Sequence, residues 1–487
     1  MDSSASACFR TNGLDPGDAY ELELTYGSVG RIYNFTRPII GEIARTSTPK
    51  PRMQVREPFG IGKEHLMTHD NFPRYRDFDP RIPVWCVTPD RPGCIHRFFD
   101  NSPISPSGRY LAVFQLPFED RRPEPGESGN VCIVDLQTGK DRVVAETCGW
   151  EPQMGANVNW GGSDHELFFN DVDTTTWQPF AWKLDPVTGN RQRMEGAVYH
   201  ASPDGRWLIS ANMTTMRKTQ PGYGVCIPSE AMRRNLGPAE DDGFYLTDTS
   251  TGSTRLFASI ADLVRRARPP VLIENPEEHE IYGFHSKFNP QSNRLMLSLR
   301  WFPATDKPRW DMFGIDRSAV RFAWVTIGLD GESVHCAVGP EEWEKGGHHA
   351  TWFPDGERLS MNLNIDRDVL RFVQVHANGT GLRKMLSDVV GSGHPTVHPD
   401  GRHLLTDTYT WENTSFGDGT IPLRWVDLDT GEEEAIVRVN TRQPCEDSVM
   451  RIDPHPAWDR TWRYVTFNAF VDGTRRVFVA DMKELIA

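Results

Sequence analysis

Four histidines occupy equivalent positions in a repeated sequence pattern and could act together. His285, His349 and His394 each lie five residues before the proline of a turn, and His455 aligns with them. A single histidine at such a position is most often a hydrogen-bonded core residue. Imidazoles that face one cavity can instead bind a metal, hold an anion or transfer protons near neutral pH. The spacing therefore predicts a histidine site at one end of four strands.

Residues near these histidines could complete the site. Asp453 and Arg451 lie two and four residues before His455, and alternate residues of a strand face the same side. Asp453 could therefore add a carboxylate ligand, and Arg451 could add positive charge. Arg217 and Tyr223 belong to the segment MRKTQPGYGV, which interrupts the repeats. This segment could lean over the site, with an exposed loop as the alternative.

Three further residues join Arg451 as candidates for binding a substrate. Asn101 occupies the histidine position in the first repeat. His200 lies two residues from that position in a later repeat, on the same strand face. His96 precedes the first turn, where simple packing at a strand end is the alternative.

The repeat that must position these residues is a turn rich in proline, aspartate and glycine, followed by an apolar strand. Clear copies (SPSGRYLAVF, SPDGRWLISA, FPDGERLSMN and HPDGRHLLTD) begin at 105, 202, 353 and 398, and degraded copies begin at 159, 288 and 457. A second turn, such as DLQTG at 135 or DLDTG at 427, follows each copy. Glycine supplies the positive φ of such turns, and aspartate bonds its own backbone. Seven antiparallel meanders in series predict an all-β protein, a seven-bladed β-propeller.

The ends of the repeat region suggest how the ring closes. The last unit, 457–481, is one strand short, and an upstream strand at 83–87 could complete it and remove an exposed edge. Residues 1–80 contain no repeat and are predicted as an N-terminal extension, with the propeller spanning 81–487. The long interval between 202 and 288 holds MRKTQPGYGV and a helix-like stretch at 259–267.

Composition narrows the classes of function. The chain has 487 residues, 38% hydrophobic and 25% charged, with a mean hydropathy of −0.52, which excludes a disordered or membrane-embedded protein. A net charge of −14 argues against nucleic acid as a partner. The first 13 residues show no basic segment followed by an apolar run, so we expect a cytoplasmic protein, or a secreted one if a signal has been removed. We expect a monomer or dimer.

The segments around the histidines resemble the oligogalacturonate lyases, seven-bladed propeller enzymes that cleave uronic-acid sugars by β-elimination. HSKFNP, from His285, is similar to the segment that carries that family's catalytic base. HATWFPDG, from His349, is similar to one that supplies a metal-ligand histidine. MRIDPHP, from Met450, resembles the family's Q-x-x-H-P-H-P metal stretch and keeps His455, but Asp453 replaces the first histidine and Met450 replaces glutamine.

FHSKFNP, GGHHATWFPDGERLSMN and GSGHPTVHPDGRHLLTDTY are more similar to a second propeller group, the rhamnosyl-glucuronate lyases. Those enzymes release terminal L-rhamnose from glucuronic acid in gum-arabic-type arabinogalactan side chains. The resemblance implies an L-rhamnose-α-1,4-D-glucuronate lyase that acts on an acidic oligo- or polysaccharide. Oligogalacturonate lyase and ulvan lyase are the alternatives.

The resemblance and the chemistry together assign expected roles. Removal of a uronate C5 proton needs a base, and it needs positive charge or a metal to neutralise the adjacent carboxylate. We expect His285 to be the base and Tyr223 the acid that protonates the leaving oxygen. His349, His455 and Asp453 would neutralise the carboxylate, with or without a divalent metal (Mn or Ca), and no organic cofactor is expected. The remaining members of the predicted catalytic set, which would assist, are His394 and Arg217.

Two other classes of function remain open at this stage. A glycan hydrolase on the same propeller would need a pair of carboxylates at the mouth of the channel. A non-catalytic scaffold of the WD or TolB kind would leave the aligned histidines idle, since a fold does not fix a function. The chain lacks Gly-x-Ser-x-Gly, Walker, GxGxxG and HExxH motifs, which disfavours a propeller-capped serine peptidase.

Overall fold

The strands of this protein form the blades of a β-propeller. The computed structural model describes residues 67–305, 319–366, 369–442 and 445–486. Within these ranges the strands make seven four-stranded antiparallel sheets. The predicted all-β, seven-bladed architecture is therefore confirmed.

The first three blades contain the following strands. The strand β1 (Val84–Cys86) comes first in the chain but belongs to the last blade. Blade 1 contains β2 (Cys94–Ile95), β3 (Tyr110–Gln115), β4 (Gly129–Asp135) and β5 (Asp141–Thr147). Blade 2 contains β6 (Asn159–Trp160), β7 (Leu167–Asp173), β8 (Gln178–Leu184) and β9 (Arg191–Arg193). Blade 3 contains β10 (His200–Ala201), β11 (Trp207–Ala211), β12 (Gly243–Asp248) and β13 (Thr254–Ser259).

The other four blades follow in chain order. Blade 4 contains β14 (His279–Phe288), β15 (Arg294–Pro303), β16 (Arg321–Gly328) and β17 (His335–Val338). Blade 5 contains β18 (Gly347–Trp352), β19 (Arg358–Asn364), β20 (Leu370–His376) and β21 (Arg383–Lys384). Blade 6 contains β22 (Thr396–Val397), β23 (His403–Thr406), β24 (Thr420–Asp427) and β25 (Glu433–Asn440). Blade 7 contains β26 (Ala457–Trp458), β27 (Tyr464–Val471), β28 (Thr474–Asp481) and β1.

Short helices decorate the connections. The helix α1 (Ile260–Arg266) lies between blades 3 and 4, and Ser259 caps it by accepting a hydrogen bond from the backbone of Asp262. This helix confirms the one predicted at 259–267. The second helix, α2 (Pro340–Trp343), precedes blade 5. Single 3₁₀ turns occur at His69–Asn71, Met216–Lys218, Ser229–Ala231, Pro276–Glu278 and Ser448–Met450.

The two repeated turns lie where the sequence pattern predicts hairpins. Each of the seven repeat turns joins the first strand of a blade to the second. In blade 6, the carboxylate of Asp427 accepts hydrogen bonds from the amides of Asp429 and Thr430 at 2.8 and 3.1 Å, and Gly431 adopts φ 78°. Blade 7 differs, because its second turn, at 471–473, joins β27 to β28 and so precedes the third strand.

Ring closure uses both ends of the propeller. The strand β1 pairs antiparallel with β28, matching Val84 with Ala480 and Cys86 with Phe478. This pairing confirms the closure predicted for 83–87 and covers an edge that would otherwise expose unpaired backbone groups. Residues 1–66 lie outside the described residues, so the predicted extension stays a prediction there. From residue 67 onward, Phe72 and Tyr75 are buried against the blades.

The core lies between neighbouring blades. Phe244 and Leu246 of blade 3 pack with Leu297 and Leu299 of blade 4, and all four are essentially inaccessible to solvent. These contacts hold blade 3 against blade 4. In the described part of the chain, no helix is long and apolar enough to cross a membrane.

The channel has two different mouths. The turn mouth carries the tight turns between the first and second strands of each blade. The loop mouth carries the connections between second and third strands, and four of these are long, at 116–128, 212–242, 304–320 and 407–419. Long loops on a rigid scaffold commonly carry binding and catalytic residues.

Candidate active site

The four aligned histidines converge at the loop mouth around one phenylalanine. The ring of Phe98 lies 4.6 Å from that of His455, 5.4 Å from that of His285 and 5.5 Å from that of His394. The ring of His349 is 6.1 Å away. We call these four histidines the histidine site. The sequence predicted that they would share one ring of positions but did not predict the phenylalanine between them.

Local backbone distortions turn these imidazoles inward. The β14–β15 register shifts between Gly283 and Ser286, and the β18–β19 register shifts at His349. His349 and His455 adopt φ of 58° and 51°, a left-handed conformation that is uncommon for residues with a side chain and costs about 1 kcal/mol or more. Such strain concentrates at functional sites.

A glycine places His394. Gly393 has φ 63°, and a Cβ there would lie 2.2 Å from the carbonyl oxygen of Asp407. This close approach lets Asp407 accept hydrogen bonds from both the backbone amide and Nδ1 of His394, each at 2.8 Å. Nε2 of His394 is therefore left without a partner, and it is buried.

Three groups at the histidine site could hold a metal ion. Ligand atoms of His394, Asp453 and His455 lie within 4.8 Å of one another. Nε2 of His394 and both ring nitrogens of His455 are buried without hydrogen-bond partners, which a bound cation would satisfy. Two imidazoles and a carboxylate suit a first-row divalent metal such as manganese or zinc. The residues present therefore fit a metal.

The geometry changes one predicted ligand. The sequence assigned the metal to His349, His455 and Asp453, whereas the compact group contains His394 in place of His349. Nδ1 of His349 donates to the carbonyl of Gly393 at 2.8 Å, and its ring stacks on that of His394 at 3.9 Å. The hydroxyl of Tyr409 lies 3.3 Å from Nε2 of His349 and can donate to it. The other nitrogen of His349 is thus occupied by Tyr409.

Arg451 connects the three candidate metal ligands to the surface. We call these ligands, His394, Asp453 and His455, the metal group. Its Nε donates to the carboxylate of Asp453 at 2.9 Å, and Arg451 is partly exposed while Asp453 is buried. Burial opposes the charge, but the nearby carboxylate of Asp453 and hydroxyl of Tyr223 raise the pKa of Arg451 above its usual value. Arg451 therefore stays cationic at the rim of the site, as a substrate-binding role requires.

His285 has the properties of a buried, neutral base. Its ring stacks on Phe284 at 4.1 Å and on Tyr199 at 5.2 Å, and its Nε2 is buried without a partner. Burial, and then the charges of Lys287 and Arg300, hold the pKa of His285 well below its usual value. The imidazole is therefore uncharged and able to accept a proton at neutral pH.

Arg300, which the sequence analysis did not single out, brings positive charge to the same place. Its guanidinium lies 3.5 Å from the ring centre of Phe284 and 4.7 Å from that of Phe322. It donates to the side chain of Gln220 at 2.7 Å, while its Nε is buried without a partner. No carboxylate among the described residues lies within salt-bridge distance of it. Burial lowers the pKa of Arg300 to about 9, so the group remains charged.

A signal for Arg300 exists in the sequence. Residues 295–302 of β15 read LMLSLRWF, and Arg300 is the one charged residue in this stretch. A cation in an otherwise uncharged stretch needs an anionic partner, and no carboxylate of the described residues pairs with it. That pattern is typical of a residue kept to bind an anion.

Tyr223 approaches His285 from the insertion MRKTQPGYGV. The two rings lie 5.8 Å apart, and Tyr223 is 2% exposed. The neighbouring Gly224 amide donates to the buried carboxyl of Glu151, whose pKa burial raises to about 8. This hydrogen bond fixes the loop on the histidine site. Burial raises the pKa of the Tyr223 hydroxyl above its usual value, so the hydroxyl keeps its proton.

Arg217 lies on the same insertion but farther from the histidines. Together with Tyr223 it lines a cleft of about 60 Å³ at the loop mouth. Its guanidinium donates to the carbonyl of Ile227 at 3.3 Å. The structure thus places Arg217 at the edge of the site.

His96 lies inside the channel beside the metal group. Its ring is 6.4 Å from that of His455, and its Nε2 lies 3.3 Å from the carbonyl of Pro454. Burial lowers its pKa to about 4. His96 is therefore a neutral neighbour of His455, inaccessible from solvent.

Asn101 and His200 lie at the other mouth. They line a cavity of about 310 Å³ at the turn mouth, together with Lys287 and Trp458. The prediction that Asn101 occupies the histidine position is wrong. It assumed an unbroken inner strand, but blade 1 places eight residues between its pairings at Ile95 and Ile104, where β3 has only two.

The extra residues of blade 1 fill the channel. This segment contains Phe98, and it also contains Arg97 and Asp100, which pair at 2.5 Å. Lys287 pairs with the same carboxylate at 2.9 Å. Burial opposes ionisation, but Arg97 and Lys287 hold the pKa of Asp100 below its usual value. These two buried cations share one carboxylate, whereas Arg300 pairs with none among the described residues.

Comparisons with known proteins agree with the fold. No family model matches the chain, and no curated protein matches it. An oligogalacturonate lyase from Vibrio parahaemolyticus superposes with a TM-score of 0.56 at 14% identity, covering 85% of this chain and 98% of that one. An oligogalacturonate lyase in complex with manganese gives 0.55 at 16% identity, covering 84% and 96%. The β-propeller domain of the Trilobed protease from Pyrococcus furiosus gives 0.41 at 12%, covering 76% and 89%.

At these identities the similarity establishes a shared propeller fold. It places this chain beside lyase propellers in architecture, and one of those lyases was solved with manganese. What this chain does depends on the residues at its own loop mouth.

Proposed function

We propose that the protein is a polysaccharide lyase that cleaves a uronate glycosidic bond by β-elimination. The observation that carries this proposal is that a neutral base and a cation without a carboxylate partner lie at one site. His285 is a neutral imidazole with a free nitrogen, and Arg300 is a guanidinium without a carboxylate partner. The first suits a base, and the second suits the carboxylate of a substrate.

β-Elimination needs these two functions together. The C5 proton of a uronate is hard to remove because the adjacent carboxylate disfavours further negative charge. A fixed cation beside that carboxylate stabilises the enolate-like intermediate, and such preorganised electrostatics commonly contribute a factor of about 10²–10³ in rate. A positioned base near neutral pH contributes about 10²–10⁴.

The roles follow from the contacts. His285 would take the C5 proton on Nε2, and the electrons of that C–H bond would form the C4–C5 double bond as the C4–O4 bond breaks. Tyr223, which keeps its proton, would donate it to the departing oxygen. Arg300 would bind the uronate carboxylate, with Arg451 as a second cation at the rim. Each proton and electron pair is then accounted for.

His394, Asp453 and His455 would hold a divalent metal when one is present. Such an ion supplies Lewis acidity toward a carboxylate. Asp407 orients His394 toward the group, and Arg451 orients Asp453. Both contacts are of the kind that fixes metal ligands.

The proposed substrate is a glucuronate that carries L-rhamnose on O4, as in gum-arabic-type side chains. The resemblance of the segments around His285, His349 and His394 to rhamnosyl-glucuronate lyases supports this choice. Asp453, in place of the histidine of oligogalacturonate lyases, places galacturonate second. Concentrating cations at the loop mouth would let a chain with net charge −14 attract an acidic glycan.

The test is the ultraviolet absorbance of the unsaturated uronate that elimination creates. The purified protein would be incubated with gum arabic, ulvan and oligogalacturonate, each with and without EDTA. We expect absorbance to grow with gum arabic and His285→Ala to reduce the rate by a factor of about 10² or more. His376→Ala, at an exposed histidine of β20, is the matched control and should leave the rate unchanged.

Two outcomes would redirect the assignment. Reducing ends that appear without the chromophore would indicate a hydrolase. Against this, the aspartates beside His455 and His394 are both engaged, Asp453 with Arg451 and Asp407 with His394. The absence of any cleavage by a folded protein would reject these three substrates and favour a scaffold.

A further inference from the structure

An exposed tryptophan stands at the loop mouth beside the histidine site. Trp411 is 70% exposed, whereas every other tryptophan in the described ranges is buried or half-buried. It lies on the long loop at 407–419, between β23 and β24. An aromatic ring offers a flat apolar surface, and tryptophan is enriched where one face of the ring is left for a partner.

The ring of Trp411 is held in place. It stacks on Tyr409 at 4.6 Å with an interplanar angle of 10°, so one indole face is covered and the other is open. The neighbouring Glu412 anchors the loop, because its carboxylate accepts hydrogen bonds from the hydroxyls of Thr408 and Ser392 and from the amide of Tyr409. The open face is thus preorganised.

A chain of contacts leads from Trp411 to the interior of the site. The hydroxyl of Tyr409 lies 3.3 Å from Nε2 of His349, and His349 stacks on His394 at 3.9 Å. Trp411 is therefore only two side chains away from the group that could hold a metal. A glycan with one residue at the histidine site would extend toward this loop.

The charge of this loop bears on the kind of sugar that it could bind. Residues 407–417 read DTYTWENTSFG and contain neither lysine nor arginine. A second uronate placed here would find no cation on this loop, and the neighbouring Arg451 is already paired with Asp453. An uncharged pyranose needs only an aromatic face for its C–H groups. The chemistry favours a neutral sugar.

We propose that Trp411, supported by Tyr409, forms a stacking subsite for a neutral pyranose next to the uronate that is cleaved. This inference rests on the proposed lyase function and extends it. The protein would act on bonds between a uronate and an uncharged sugar in preference to a homopolymer of uronates.

The test compares Trp411→Ala with Trp411→Phe, using the elimination assay on gum arabic. We expect Trp411→Ala to raise KM about tenfold, which corresponds to about 1.4 kcal/mol, with kcat within about twofold of the original. Trp411→Phe keeps an aromatic face and should restore most of the affinity. Phe416→Ala is the matched control, because Phe416 is an exposed aromatic residue on the same loop, 43% accessible, and packs under Arg438.

The outcomes separate this inference from the proposed function. An unchanged KM in Trp411→Ala, with active wild-type protein, overturns the subsite and leaves the lyase intact. An equal rise in KM in Phe416→Ala also overturns it, because the effect then comes from loosening the loop. Wild-type protein that eliminates none of the three glycans overturns the lyase proposal and the subsite with it.

Discussion

Replacing Arg300 with methionine should make the protein more stable and less active. Methionine keeps an unbranched stem to pack on Phe284 but removes the charge. In the absence of substrate, Arg300 has one hydrogen bond, to Gln220, and no salt bridge to a carboxylate in the described chain. Its positive charge is therefore held in a place where the folded protein does not compensate it.

The magnitude follows from the pKa. Burial lowers the pKa of Arg300 to about 9, and at about 1.4 kcal/mol per pKa unit this corresponds to a cost of about 5 kcal/mol for the charged group. The substitution also loses one hydrogen bond, worth about 1 kcal/mol, and cation–π contacts with Phe284 and Phe322, worth about 1 kcal/mol each. A net gain of about 2 kcal/mol in the free energy of unfolding remains.

The same substitution at Arg475 is the matched control. Arg475 is buried, but it pairs with Glu119 at 3.0 Å and donates to the carbonyl of Met450. Arg475→Met should destabilise the protein by about 3–5 kcal/mol, because it leaves Glu119 without its partner. The same change at these two arginines is thus expected to have opposite effects on the free energy of unfolding.

Urea denaturation and the elimination assay measure the two effects. We expect a higher midpoint for Arg300→Met together with a fall in kcat/KM of about 10²–10³. A fall in the midpoint comparable to that of Arg475→Met would show that Arg300 is a structural cation. Unchanged kcat/KM would refute its role in binding the substrate carboxylate.

Two further predictions concern the metal group and pH. Manganese should raise the free energy of unfolding of the wild-type protein by about 2.7 kcal/mol at 100 times Kd, and so raise its melting midpoint, but should not stabilise His455→Ala. An equal shift in the variant would place the ion elsewhere. Stability should fall as pH decreases from about 6.5 to 4, because burial lowers the pKa of His96 and His200 to about 4, so the unfolded chain binds more protons in that window. Each of these two histidines contributes about 3 kcal/mol to this loss of stability. Glu151, whose pKa is raised, acts in the opposite direction, but it is one group against two. Urea midpoints between pH 7.5 and 4.5 test this, and a flat profile would contradict the burial of neutral imidazoles.

The fold could be predicted because its signals are local. A hairpin turn is specified by a few adjacent residues, as in the Asp427–Gly431 turn, and repetition of such turns sets the number of blades. The missing strand at 83–87 could also be predicted, since a blade with three strands leaves an edge that needs a partner.

The site could be predicted only where it follows the repeat. His285, His349, His394 and His455 hold one register position, so ring symmetry brings them together. Phe98 and Asn101 could not be placed, because the extra residues of blade 1 break that register. Tyr409 lies on a loop from another strand connection, and its contact with His349 exists only once the blade has folded.

The two ends of the channel differ in whether their buried polar groups have partners within the chain. Toward the turn mouth, Asp100 lies between Arg97 and Lys287, so both cations pair with a carboxylate of the chain. At the loop mouth, Nε of Arg300 and the free nitrogens of His285 and His455 are buried without hydrogen-bond partners. Unpartnered buried polar groups cost about 1–3 kcal/mol each, and a fold that keeps several in one place needs a ligand to compensate them. An anionic sugar with a metal would satisfy all of them at once, which is why we place the chemistry at the loop mouth and not in the larger cavity at the other end.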